Sequence, residues 1–307
     1  MDFYYNILNT KSEKITKIHI AMDLITKFKD VLHIFNMKKM DDPTLFGEIQ
    51  KTIANAFNLP CAEDVFDNQY SYIVSIDKDE DNEVVSGYRH ILCKDARNGN
   101  SFNLNTFKYY DFSSDFSQNY ADYTLELGRS FVNPDAKRKM WGLFSIWECG
   151  LGPLINYQVE HNGIQYILGQ VSLKENVYDP ESIKAILKMF WVNFGTTALL
   201  IPREPVFSPS ELETFNVNSK LNFSGDYKSD KVKLTKFLKE KEQAKPTLYL
   251  SYADLVDGKK SGLSCFLPVY NSLLKCYEMG FLLKISEISP ENRERYLRSG
   301  YNPQAFT

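Results

Sequence analysis

A chain of 307 residues, 43% hydrophobic, 14% aromatic and 24% charged, has the make-up of a soluble globular protein of one large or two small domains. Lys and Arg number 36 against 39 Asp and Glu, and a net charge of -3 excludes a global basic field for nucleic acid. No apolar run approaches the ~20 residues of a membrane span. The start, MDFYYNILNTKSEK, lacks the basic-then-apolar pattern of a secretory signal, so the cytoplasm is the expected compartment. Five cysteines without a CxxC pair and four scattered histidines point to reduced thiols and no metal site.

In chain order, Ile18, Met22, Ile25 and Phe28 recur at helical spacing and predict an amphipathic helix over 13–35. A second helix is expected over 43–58, with Pro43 in its first turn. YSYIVSI (70–76) and VVSGYRHILC (84–93) read as strands of a hairpin joined by the acidic turn DKDEDNE. Residues 97–122 have no clean period and read as a long loop with short elements. TLELGRSFV (124–132) is a third strand, ended by Asn133-Pro134-Asp135. A helix is expected over 138–160, bent near Gly150 to Pro153, then a strand over 164–173 and a helix over 178–195. Further on, 233–245 reads as a solvated helix and 247–255 as a strand. A helix and a last strand are expected within 266–285. The order predicts an α/β fold, one mixed sheet flanked by helices. It divides into a helical extension over 1–60, a core over 61–200 and a remainder over 201–307.

The strand, turn and helix over 124–147 carry the most specific pattern. The acetyltransferase superfamily with the GNAT fold places V-x-P-x-x-R-x-x-G-x-G/A at such a junction, where backbone N–H groups at a helix N-terminus bind the pyrophosphate of coenzyme A. Val132, Pro134 and Gly142 match, Lys137 stands in the arginine position, and Met140 replaces the first glycine. Around it lie GYRHIL (87–92), the aromatic FKYYDFSSDF (107–116), ELGRSFV and YILGQVSL. This set resembles the hemolysin-like N-acyltransferases of the GNAT superfamily, which acylate ornithine or glycine to give the lyso forms of amino-acid lipids. It is also similar to acyl-homoserine-lactone synthases in its E-x-x-R segment. The resemblance covers 64–195 and resumes in PVYNSLLKCYEMG (268–280).

The resemblance implies a GNAT-like mixed sheet with extra N-terminal helices. It also implies transfer of a fatty acyl group from acyl carrier protein or coenzyme A to a small amino acid, with no tightly bound cofactor or metal. Val132, Lys137, Arg138, Lys139 and Gly142 are the expected donor-binding residues. Glu126 is the expected general base, with Arg89 and Arg129 beside it. Strict alternation puts Arg129 on the face opposite Glu126 unless a bulge at Gly128 returns it. Met140 in place of glycine disfavours close approach of a pyrophosphate and favours a donor with one phosphate. The run Lys137-Arg138-Lys139 then suits an acidic carrier protein. The aromatic loop residues Tyr109, Tyr110, Phe112 and Phe116 are candidates for an acyl or lid surface. A purely structural charge cluster, a non-catalytic acyl-binding protein and a short-chain acetyltransferase are the competing readings. Peripheral membrane association fits the fatty donor.

Overall fold

The computed structural model describes residues 22–99, 101–215, 221–297 and 300–306. The strands of the central sheet are β1 (Leu24–Phe28), β2 (Leu32–Lys38), β3 (Ser71–Asp77), β4 (Glu83–Leu92), β5 (Thr124–Val132), β6 (Tyr166–Lys174), β7 (Leu263–Cys265), β8 (Val269–Asn271) and β9 (Cys276–Lys284). They form one sheet in the order β1-β2-β3-β4-β5-β6-β9-β7, with β8 paired to β9. Every pairing is antiparallel except β5 with β6, which run parallel. The helices are α1 (Pro43–Phe57), α2 (Gly142–Ile146), α3 (Gly152–Asn162), α4 (Pro180–Phe194), α5 (Pro209–Thr214), α6 (Tyr227–Glu240), α7 (Thr247–Leu255) and α8 (Pro290–Tyr296). This is the α/β mixed sheet flanked by helices that the element order implies.

The expected helix over 13–35 is a hairpin from Leu24 onward; residues 13–21 lie outside those described. Lys29 and Asp30 both take positive φ, 51° and 57°, and make the tight turn that pairs β1 with β2. The alternation of buried Leu32, Ile34 and the rest of β2 then outweighs the three-residue spacing of Met22, Ile25 and Phe28. The extension expected to be helical is therefore strand, strand, helix in its described part. The β1–β2 hairpin extends the central sheet.

Two further expectations fail nearer the C-terminus. Residues 247–255 form α7, because Tyr249, Tyr252 and Ala253 recur at helical spacing and pack on the sheet, Tyr252 against Phe281 at 4.1 Å between ring centres. No helix forms within 266–285: Lys275 has φ 48°, the Asn271 side chain accepts from the Leu274 N–H, and the chain turns from β8 into β9. The helix expected at 233–245 starts earlier and buries Tyr227, Leu234, Phe237 and Leu238 along one face.

Each sheet face has its own cover. On one side lie α2, α3, α4 and α7, with Leu125, Leu127, Ile167 and Val171 in the largest core. On the other, α1 covers β2 to β4, and the 97–122 segment covers β5, β6 and β9 with a second core around Phe102, Tyr110 and Phe116. Among the described residues, no helix is long and apolar enough to cross a membrane.

Candidate active site

The parallel pairing of β5 and β6 runs only from Thr124/Tyr166 to Leu127/Gly169. Beyond it, Gly128–Val132 pair with β4 alone, and Gln170–Lys174 with β9 alone. A cleft of about 530 Å³ opens where the strands part. It is lined from both faces of the sheet: by Ile53 and Phe57 of α1, by Leu143 of α2, and by Leu248 and Tyr249 of α7. The Tyr249 hydroxyl donates to the Val171 carbonyl (2.7 Å), a β6 backbone group beyond the end of the β5 pairing.

A bulge causes the divergence on the β5 side. The β4–β5 register shifts between Gly87 and Arg89, and Arg129 takes φ 47°, a left-handed conformation unusual for a side chain this large. The bulge puts Arg129 with Arg89 rather than on the face opposite. Arg89 is 1% exposed and forms ion pairs with Asp64 (2.9 Å) and Asp67 (3.1 Å). Arg129 pairs with the other Asp64 oxygen at 2.9 Å and lies 3.6 Å from Asp67. Tyr72 donates its hydroxyl to Asp67 (2.6 Å), and the Arg89 guanidinium lies 4.6 Å from the centre of the Tyr70 ring. Two cations thus meet two carboxylates, and the group fixes the turn at Val65–Asn68 to the sheet.

Glu126 stands behind this cleft, not on its wall. It is 1% exposed, and its two oxygens accept from the Thr106 backbone N–H (2.8 Å) and the Tyr70 hydroxyl. Tyr70 in turn accepts from the Asn105 N–H at 3.0 Å. The expected base is therefore hydrogen-bonded to the 97–122 segment, and Arg89 is a buried cation paired with Asp64 and Asp67. Of the expected catalytic set, Arg129 alone lines the cleft.

The expected donor residues divide in the same way. Val132 lines the cleft. Gly142 lets α2 approach β5: a Cβ there would meet Val132 at 3.1 Å and Ser86 at 3.2 Å. Lys137, Arg138 and Lys139 are not among the lining residues. Lys137 pairs with Glu80 (2.6 Å), Arg138 with Asp77 and Asp79, and Lys139 donates to the Pro134 carbonyl (2.6 Å). The acidic β3–β4 turn thus takes up the charge of Lys137 and Arg138. Met140 is 87% exposed. Of the loop aromatics, Tyr110 and Phe116 are core, and Tyr109 faces the cleft.

The group that the sequence reading missed is Glu278 of β9. It is 5% exposed, lines the cleft, and accepts from Asn271 Nδ2 at 2.6 Å. Burial raises its pKa above the usual carboxylate value, with Asn271, Cys276 and Lys108 opposing. Lys108 stands at the same end of the cleft, its ammonium 4.4 Å from the centre of the Phe66 ring. Among the described residues Lys108 has no carboxylate at ion-pair distance. Partial desolvation lowers its pKa, with Asp64 and Glu278 opposing. Gln170 of β6 lines the same cleft: its Oε1 accepts from Asn105 Nδ2 (3.1 Å), and its buried Nε2 has no partner among the described residues. A carboxylate in the late CYEMG segment, within the stretch where the sequence resemblance resumes, was the available signal.

Residues 46–147 match the model of the acetyltransferase (GNAT) domain. The glycine N(alpha)-acyltransferase of Phocaeicola vulgatus is 25% identical over 311 residues, covering 94% of this chain and 91% of that protein. The protein of the same name from Bacteroides thetaiotaomicron is 25% identical over 251 residues, covering 77% and 69%. Among solved structures, TofI in an apo form matches with a TM-score of 0.39 at 9% identity, over 84% of this chain and 98% of that one.

Proposed function

We propose that this chain, an acyltransferase whose residues 46–147 match the GNAT domain, moves a fatty acyl group from a phosphopantetheine thioester to the amine of glycine. Coenzyme A and acyl carrier protein both present that arm. The parting of β5 from β6 carries the reading. It leaves unpaired strand backbone along a cleft with an apolar wall of Ile53, Phe57, Leu127 and Val171 and a polar end at Glu278. An extended pantetheine amide chain suits the first, an acyl chain the second, and an amine nucleophile the third. The naming of two relatives as glycine N(alpha)-acyltransferases supports glycine as acceptor.

Transfer joins the glycine nitrogen to the thioester carbonyl carbon and breaks the carbon–sulfur bond. The ammonium gives up one proton before attack. The nitrogen's next proton ends on the departing thiolate, leaving an amide and a thiol. On the donor side, the pairing of Lys137 and Arg138 with the β3–β4 turn weakens the case for a basic dock and leaves the phosphopantetheine arm as the shared determinant.

Steady-state assays with the same acyl chain on coenzyme A and on acyl carrier protein test the reading. Turnover of at least one long-chain donor with glycine is expected. Tight thioester binding with no turnover on either carrier favours a non-catalytic acyl-binding protein instead. Turnover of acetyl-coenzyme A alone favours a short-chain enzyme.

A further inference from the structure

We infer that Lys108 and Gln170 form a carboxylate-binding subsite facing Glu278, so that the cleft selects a free α-amino acid by holding both of its charges. This rests on the proposed N-acyl transfer and specifies the acceptor half of that site.

Three observations carry it. First, the charges at this end of the cleft do not close internally. Arg89 and Arg129 are matched by Asp64 and Asp67, whereas Lys108 has no ion-pair partner among the described residues. Among the described residues Glu278 accepts from the neutral donors Asn271 and Cys276 and from no cation. Second, Gln170 keeps a buried Nε2 donor without an acceptor among the described residues, an arrangement that is unfavourable unless something fills it. Third, the fold puts these groups side by side: Gln170 pairs with Gly280 and Ser172 with Glu278 across β6 and β9, and alternation sends Gln170 and Glu278 to one face. That face is covered by the segment bearing Lys108.

One lone cation with a free amide donor, opposite one lone carboxylate, complements a zwitterion. The glycine carboxylate accepts from Lys108 and Gln170. The glycine ammonium meets Glu278, which takes one of its protons and leaves the neutral amine to attack. Asn271 holds the Glu278 carboxylate in place for this step. Amines without a carboxylate leave Lys108 and Gln170 unsatisfied and are rejected on that ground.

Glycine and glycinamide, offered with one acyl donor, separate these roles. Wild-type protein is expected to favour glycine at least ~100-fold in kcat/KM, as buried donors left unpaired dictate. In Lys108→Met the preference should collapse towards unity through the glycine KM, and Lys108→Arg should restore most of it. Glu278→Gln should instead lower kcat and flatten the acid limb of the pH profile, with the melting temperature of each variant as the folding control. Equal use of glycinamide by the wild type, or equal loss of both acceptors in Lys108→Met, overturns the subsite. Calorimetric titration of glycine keeps the two claims apart. If no donor is turned over but glycine binds to wild type and not to Lys108→Met, the transfer reading falls and the subsite stands. If glycine does not bind while transfer proceeds with unselective amines, the subsite falls and the transfer stands.

Discussion

Buried ionisable side chains on β4 and β5 divide into those that hold the sheet's covers in place and those that titrate against it. Arg89 and Glu126 belong to the first group: Arg89 pairs with Asp64 and Asp67, and Glu126 accepts from Thr106, on the segments they anchor. His90 belongs to the second. It alternates to the face opposite Arg89, where its Nε2 lies 2.9 Å from Asn36 Oδ1. Burial, helped by Lys38, depresses its pKa from 6.5 to about 3. The unfolded chain therefore binds a proton at this residue between those values while the folded one does not. Its contribution is fully present above pH 6.5 and is lost as the pH falls towards 3. Unfolding free energy measured by urea titration should decline between pH 6.5 and 5, above the range where carboxylates dominate, and His90→Gln should flatten that slope. An unchanged slope in the variant contradicts the assignment.

At the scale of elements, the junction of β5 with α2 decides the shape of the cleft. Gly142 packs against Val132, which is also a wall of the cleft. Gly142→Leu should push α2 off β5 at a cost of about 1–3 kcal/mol. It should also raise the KM of the thioester more than that of glycine, and kinetics with each substrate varied in turn would check this. That junction was legible in the sequence, because V-N-P and the following glycine are local signals. So were the β3–β4 hairpin, the strands on either side of the cleft and α4. The β8–β9 hairpin was not. Its Pro-Val-Tyr-Asn-Ser-Leu-Leu run reads as helical, and the turn that overrules it depends on Asn271 and a left-handed Lys275. Misreading that turn hid Glu278, whose neighbours in space belong to β6 and to the segment around Lys108. Glu126 was legible as a strand carboxylate, but its burial and its donors Tyr70 and Thr106 were not, because sequence order does not show that they face it.

At the scale of the fold, the parting of the central sheet between β5 and β6 gathers an apolar channel and a polar end into one cleft, with separate cores packed on both faces to hold it open. The central claim is that this cleft joins a thioester to the amine of an amino acid. The most direct measurement incubates the purified chain with a long-chain acyl thioester and ¹⁵N-labelled glycine, and follows thiol release and amide formation together by mass spectrometry. The account predicts labelled N-acylglycine in amounts equal to the thiol released, and strongly reduced formation in Glu278→Gln. Thiol release without labelled amide, or full activity in Glu278→Gln, would contradict it.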